Sequence, residues 1–361
     1  MVMSYNIILI TTWNKNQANY TSLQQQDAAA DVNVSSSPVS ATGQHQHHPF
    51  SVAICTIVKD AELYFEEWLD YHFALGFDAI YIYDNSPLFE LKNWYDNTRN
   101  HAIFGKAEII HWTDNTVQKQ VKSYKDCIEK FGISETGPKH DYFAFIDVDE
   151  FLVIQSPKYQ DIQGILADYL VPYGGALTVN WMLIGSSDKT VPSPLPITKR
   201  NQHRAKTAHS VIKSIVKVSD YIEHKNPHAV SVKSPSKVRT TKYPGNIFKP
   251  SSYKGASDHE LPSGILLLYH YRYGSKKEYL FKRCVRGEVD VGNKWCDDSG
   301  NEIKTETPEH IQFFHGDVFD DMAWKFLTAR VPKYKMFGEF EDFHHTAFNH
   351  SRDQQPGGDM Q

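Results

Sequence analysis

What the chain lacks narrows it first. Its four cysteines include no Cys-x-x-Cys pair, which removes a structural zinc framework. No apolar run approaches the ~20 residues that a membrane-spanning helix needs. The stretch from Tyr5 to Trp13 is short, has no basic flank, and reads either as a signal-peptide core or truncated anchor, or as a disordered terminus. No glycine-rich phosphate loop stands where the first strand ends, so dinucleotide-binding and P-loop enzymes are disfavoured. Nor is there a cationic excess: 38 Lys and Arg against 43 Asp and Glu leave a net charge of −5, which speaks against a nucleic-acid partner.

What is there suffices for a sizeable core, since 40% of the 361 residues are hydrophobic and 13% aromatic. Residues 1–49 read as a tail or tether, because the Gln-, Ser-, Ala- and His-rich stretch from Thr21 to Pro49 cannot offset its ordering entropy by burial. His45, His47 and His48 within it read as a solvated tract. Residues 50–330 are expected to form one domain, with 331–361 as a C-terminal extension. Cys55 and Cys127 lie in apolar runs and read as buried thiols, whereas Cys284 and Cys296 would bridge in an oxidising lumen.

Periodicity predicts a strand over Ser51 to Val58, a helix over Glu62 to Leu75 closed by Gly76, and a strand over Asp78 to Tyr83. Such a crossover favours a parallel sheet, and ligands of open α/β sheets bind beyond the carboxyl ends of the strands. Lys59, Asp60, Asp84 and Asn85 therefore share an expected rim. A further strand over Ala107 to Trp112 and a helix over Val117 to Phe131 continue the alternation.

The next strand brings the densest chemistry. Phe143 to Ile154 is apolar except for Asp147, Asp149 and Glu150, which reads as strand, acid turn, strand. Three carboxylates buried together are costly unless a cation or hydrogen bonds compensate them. Alternate strand residues share a face, so Asp147 and Asp149 are expected to converge while Val148 packs away. Hard oxygen ligands of this kind suit Mg²⁺ or Mn²⁺; the alternative is a solvated acidic turn.

Downstream, Lys199, Arg200, Arg204, Lys206 and the lysines of a strand over Ser210 to Val218 form a basic run. It would contact a diphosphate or anionic acceptor, or else form the solvated edge of a half-exposed strand; Lys213 is the residue to test first. The apolar strand Ile265 to Tyr269 delivers His270 to its end. Trp112 and Trp181 offer faces for stacking on sugars, with core packing as the alternative. Asn19 and Asn349 head glycosylation triplets that matter only in a secretory lumen.

Taken in order, Ile54 to Asp60, Glu67 to His72, Leu75 to Asp78, Tyr83 to Asn85, Phe145 to Phe151, Gly185 to Ser187, Lys213 to Val216, His228, His270-Tyr271, Lys282 and Arg286-Gly287 resemble glycosyltransferase family 92 and its family 2 relatives. The resemblance spans Ser51 to Trp295. It implies a GT-A fold, a mixed, mainly parallel α/β sheet flanked by helices, in which a nucleotide-binding half and an acceptor-binding half share one continuous sheet. It also implies transfer of a hexose, often galactose from UDP-galactose, to a carbohydrate acceptor, with inversion and a divalent ion, Mn²⁺ or Mg²⁺.

By the same resemblance Asp147 and Asp149 would hold the metal and diphosphate, with His270 completing the metal site and His228 in reserve. Lys59, Asp60, Asp84, Asn85 and Lys213 would line the nucleotide. Glu150 and Asp188 are the candidates for catalytic base, although relatives often carry Gly-His after Gly-Ser-Ser where this chain has Asp188. Relatives are commonly anchored in the Golgi membrane, an attachment for which this chain offers no clear span. Two rivals stand beside this reading: a carbohydrate-binding protein that has lost turnover, and a phosphotransferase of the haloacid dehalogenase type. The second wants its Asp-x-Asp directly after the first strand, whereas here a long α/β stretch precedes it.

Overall fold

The computed structural model describes residues 49–59, 65–87, 89, 91, 92, 95, 106–133, 139–187, 189–193, 195–241, 265–286 and 316–338. Residues 1–48 of the expected tail, Asp60, Asp188, Cys296 and both glycosylation triplets lie outside them.

The first strand, β1 (Val52–Val58), is buried along its whole length, as a strand covered on both faces must be. Its side chains divide between two cores: Val52, Ile54 and Val58 pack into one, Ala53, Cys55 and Ile57 into the other. Helix α1 (Phe65–Ala74) follows and ends where expected. Gly76 takes φ 104°, which a side chain would resist, and the amides of Gly76 and Phe77 return to the carbonyls of Phe73 and His72.

Strands β2 (Ala79–Asp84) and β3 (Lys106–His111) extend the sheet in parallel beyond β1. Helix α2 (Lys119–Cys127), continued by a π-helical turn (Ile128–Gly132), returns the chain to β4 (Tyr142–Phe145), parallel to β1 on its other side. After the acid turn come β5 (Glu150–Ile154), helix α3 (Ile162–Tyr169) capped by Asp161, and β6 (Ala176–Leu183). Helix α4 (Ile197–Arg200), the short β7 (His203–Arg204) and β8 (Ile212–Lys217) lead on to the β9 (Tyr221–His224) and β10 (Val230–Val232) hairpin. β11 (Val238–Thr240), β12 (Leu266–His270), helix α5 (Lys276–Leu280) with a second π-helical segment (Phe281–Arg286), β13 (Val318–Phe319) and helix α6 (Met322–Arg330) complete the order.

The main sheet runs β3-β2-β1-β4-β8-β6-β12-β5, with β11 also paired to β6. Among the described residues it is one continuous mixed sheet, mainly parallel and flanked by helices, as anticipated. Its closure has a simple cause. Phe145 and Glu150 are separated by only four residues that contain a tight turn, yet β4 and β5 stand four strand spacings apart, about 19 Å in a flat sheet. The sheet must therefore curl, and the acid turn is the strap across the curl. The outer edge of β5 is covered by α1: Trp68 Nε1 donates to Glu150 O (2.7 Å), Tyr71 OH donates to Leu152 O (3.1 Å), and Leu152 N donates to His72 Nε2 (3.4 Å).

Two expectations need correction. Cys55 and Cys127 are not thiols: they form a disulfide between β1 and the end of α2, which sequence could not reveal across a separation of 72 residues. Cys284 is disulfide-bonded as well. Past residue 330, Val331 and Tyr334 pack into the core, and Tyr334 OH donates to Asp70 at 2.8 Å. Finally, β8 is no solvated edge; it lies between β4 and β6, and Lys213 on it is buried.

Candidate active site

Strands β1, β2, β3 and β4 are parallel, so their carboxyl ends share one rim, with Lys59, Asn85, Trp112 and Asp147 just beyond it. Asp84 is fully buried at that rim, its Oδ1 accepting from Ser86 N at 2.9 Å. Asn85 donates its amide to the carbonyls of Trp112 (2.7 Å) and Asp114 (3.2 Å), pinning the segment that leads from β3 to α2.

The acid turn begins where β4 ends. Asp147 and Asp149 belong to a turn rather than a pleat: Glu150 N donates to Asp147 O at 3.0 Å, and Val148 between them in sequence is buried. Glu150 folds back so that its Oε2 accepts from Asp147 N at 2.7 Å. This carboxylate is a brace for the turn, and its Oε1 is buried with no hydrogen-bond partner among the described residues.

Two lysines neutralise the cluster. In the β4–β8 register Ser214 faces Phe145, which brings Lys213 level with the start of the turn. Lys213 Nζ lies 2.9 Å from Asp147 Oδ2 and 3.7 Å from Glu150 Oε2, with its own side chain 1% exposed and that of Asp147 30% exposed. Lys282, on the π-helical segment after α5, pairs with Asp149 Oδ2. His270 ends β12 opposite Glu150, its Nε2 3.4 Å from the same Asp149 oxygen.

The electrostatics follow from this geometry. Burial pushes every carboxyl of the cluster upward, but Lys213 outweighs it at Asp147 and holds that group low, while Lys282 and His270 hold Asp149 well below the usual range. Glu150, more deeply enclosed, is pushed well above it by burial, against the pull of Lys213. For Lys213 burial opposes the charge, yet Asp147 and Glu150 prevail and raise it. Burial keeps His270 below the ordinary histidine range against the pull of Asp149, and takes His228 down to about 4, helped by Lys213.

The structure thus gathers Asp147, Asp149, Glu150, Lys213 and His270, and adds Lys282. His228 packs against Trp181 (ring centroids 5.3 Å), and Trp181 in turn against His270 (4.3 Å). Trp181 is mostly buried, so core packing describes it, yet its Nε1 and the Nδ1 of His270 have no hydrogen-bond partner among the described residues. Among the described residues no group of three or more His, Cys, Asp and Glu is arranged to hold a metal, so Asp147, Asp149 and His270 are not a preformed three-residue cage.

Sequence reasoning missed Gln120 and Tyr124 of α2. Gln120 Nε2 donates to Asp147 Oδ1 at 2.7 Å, and Tyr124 OH stands 3.3 Å from the same oxygen. The one available signal was their spacing, since residues four apart share a helix face.

These features define an α/β protein with a cation-balanced acid turn at the carboxyl rim of its sheet. The family description that matches the chain, over residues 48–313, is glycosyltransferase family 92. The chain belongs to that family. Similar proteins include a glycosyltransferase family 92 protein of Oryza sativa subsp. japonica, 27% identical over 144 residues, 39% of this chain and 22% of its own length. Another, from Ricinus communis, is 27% identical over 110 residues, 30% of this chain and 18% of its own. The matches thus span less than a quarter of those relatives. Solved structures with weak likeness are HddC from Yersinia pseudotuberculosis (TM-score 0.32, 6% identity, 63% of this chain and 96% of that one) and S. aureus TarS (TM-score 0.30, 12% identity, 64% and 38%).

Proposed function

We propose that this domain transfers a hexose, galactose foremost, from a UDP-sugar to a hydroxyl of a carbohydrate acceptor, with inversion. The observation that carries the reading is the turn uniting Asp147 and Asp149 beside Lys213, Lys282 and His270 at the sheet rim. Membership of the family supports sugar transfer as the reaction class; the donor, the galactose and the inversion come from resemblance to the family.

A divalent ion, Mn²⁺ or Mg²⁺, fits the donor set. Such ions are often held by one or two carboxylates with substrate phosphates filling the remaining positions, and Asp147 keeps part of its surface open. Bound there, the ion would neutralise charge growing on the departing diphosphate. Asp147 and Asp149 would be its ligands, with His270 beside Asp149. Lys213 and Lys282 keep both aspartates ionised and ready for a cation. Lys59, Asp60, Asp84 and Asn85 would flank the nucleotide.

Glu150 and Asp188 are the candidate bases. Complete burial and the bond to Asp147 N suit Glu150 to bracing the turn. That leaves Asp188 as the better candidate to take the acceptor's proton.

We further infer that the domain works in an oxidising secretory compartment, the Golgi by family resemblance, because a disulfide such as Cys55–Cys127 persists where thiols are not kept reduced. Among the described residues no helix is long and apolar enough to cross a membrane, so attachment rests on the family alone.

The test is release of UDP from UDP-galactose with Mn²⁺, Mg²⁺ or a chelator. Metal-dependent release that disappears in a folded Asp149→Ala variant is expected. Release indifferent to the chelator or to that substitution overturns the reading.

A further inference from the structure

Every carboxylate oxygen of Asp147 is held from behind. Lys213 Nζ takes Oδ2 at 2.9 Å from β8, and Gln120 Nε2 takes Oδ1 at 2.7 Å from α2. Tyr124, one turn further along α2 and fully buried, stands 3.3 Å from Oδ1 and receives a second contact from Gln120 Nε2 at 2.8 Å. Asp147 itself, with its side chain 30% exposed against 3% for Asp149, is the aspartate that an incoming ligand meets. Its rotamer therefore decides where the charge points.

The placement of α2 is itself held at both ends. At its start Gln118 adopts a left-handed conformation (φ 60°), costly for a residue with a side chain, which turns the chain from the rim into the helix. The segment before it is pinned by Asn85 on Trp112 O and Asp114 O, and by Thr116 N on Asp114 Oδ1 at 2.7 Å. At its end Cys127 is bonded to Cys55 of β1. The helix is thus tied to the same parallel strands whose ends form the rim.

We propose that Gln120 and Tyr124 are positioning residues: they fix the carboxylate of Asp147 in the orientation that receives the donor's cation and diphosphate, and the Cys55–Cys127 disulfide keeps α2 at the distance this requires. Partners that orient a ligating carboxylate typically contribute 10–100-fold to affinity or activity. The inference rests on the reading of Asp147 as a donor-side ligand, and its experiment separates the two.

Gln120→Leu and Tyr124→Phe are compared with the wild-type chain in three measurements: thermal unfolding, Mn²⁺ affinity by calorimetry in the presence of UDP, and the crystallographic conformation of Asp147. The expected result is a melting temperature near wild type, about tenfold weaker Mn²⁺ binding for Gln120→Leu with a smaller loss for Tyr124→Phe, and an Asp147 carboxylate that rotates or becomes multiply placed. Restoring a donor with Gln120→His should recover part of the affinity if the contact to Oδ1 is what matters. An unchanged Asp147 conformation in Gln120→Leu overturns the proposal whatever ligand the site takes. Wild-type protein that binds no Mn²⁺ with UDP defeats the functional reading instead, and the conformation of Asp147 still decides the positioning role.

Discussion

Lys213 places its ammonium 2.9 Å from Asp147 and 3.7 Å from Glu150 while exposing only 1% of its side chain. A buried cation between two carboxylates is costly to create and costlier to break, because removing one partner leaves charge stranded in low dielectric. Lys213→Met should therefore destabilise the domain by about 3–5 kcal/mol at neutral pH. The deficit should shrink as pH falls, since the stranded carboxylates can then take up protons in the folded state. Urea unfolding at two pH values reads both effects, and a variant as stable as wild type at pH 7 contradicts the account.

His72 and His224 supply a second pH signature. Burial takes each down to about 3, and His72 is held neutral with Nδ1 donating to Trp68 O at 2.8 Å and Nε2 facing Leu152 N. Their folded values lie below the unfolded value near 6.5, so between those limits the unfolded chain binds more protons. Their share of the stability is full above about 6.5 and is lost as pH falls toward 3, by up to about 1.4 kcal/mol per pH unit for each group, whereas Glu67, which burial raises to about 7, and Glu150, raised likewise, act in the opposite sense. His72→Phe should flatten the profile by about one proton. A difference between the wild-type and His72→Phe profiles that stays constant from pH 6 to 4 sinks the assignment.

The Cys55–Cys127 bond closes a segment with a separation of 72 residues, linking β1 to α2. A constraint of that span should contribute about 2–4 kcal/mol. Paired Cys55→Ala and Cys127→Ala substitutions should lower the melting temperature accordingly. Mass spectrometry of the non-reduced protein should recover a peptide pair containing both cysteines; finding both as free thiols in protein from an oxidising compartment removes the bond from the argument.

Much of the fold was legible because its signals are local. The seven buried residues of β1, the glycine that ends α1 and the acid turn between β4 and β5 each follow from neighbours in sequence. The candidate site was legible in part for the same reason: Asp147, Asp149, Glu150, Lys213 and His270 stand at strand ends or on alternating strands. That Asp147 and Asp149 sit on a turn was not, since alternation suggests a pleat and the chain folds back instead. Gln120 and Tyr124 escaped because nothing in a helix names the strand end it will face.

The sequence alone determined the alternation of strands and helices from β1 to β5, the parallel rim and the acid turn at its lip, because burial of periodic apolar faces leaves those choices little freedom. Tertiary structure alone decided which cation meets which acid, which cysteines join, and that β8 runs through the interior rather than along an edge. Those outcomes depend on strand order and on the curl imposed by a four-residue strap between β4 and β5. Contacts between residues far apart in the chain are fixed by how the sheet closes, and no short window of sequence contains that closure.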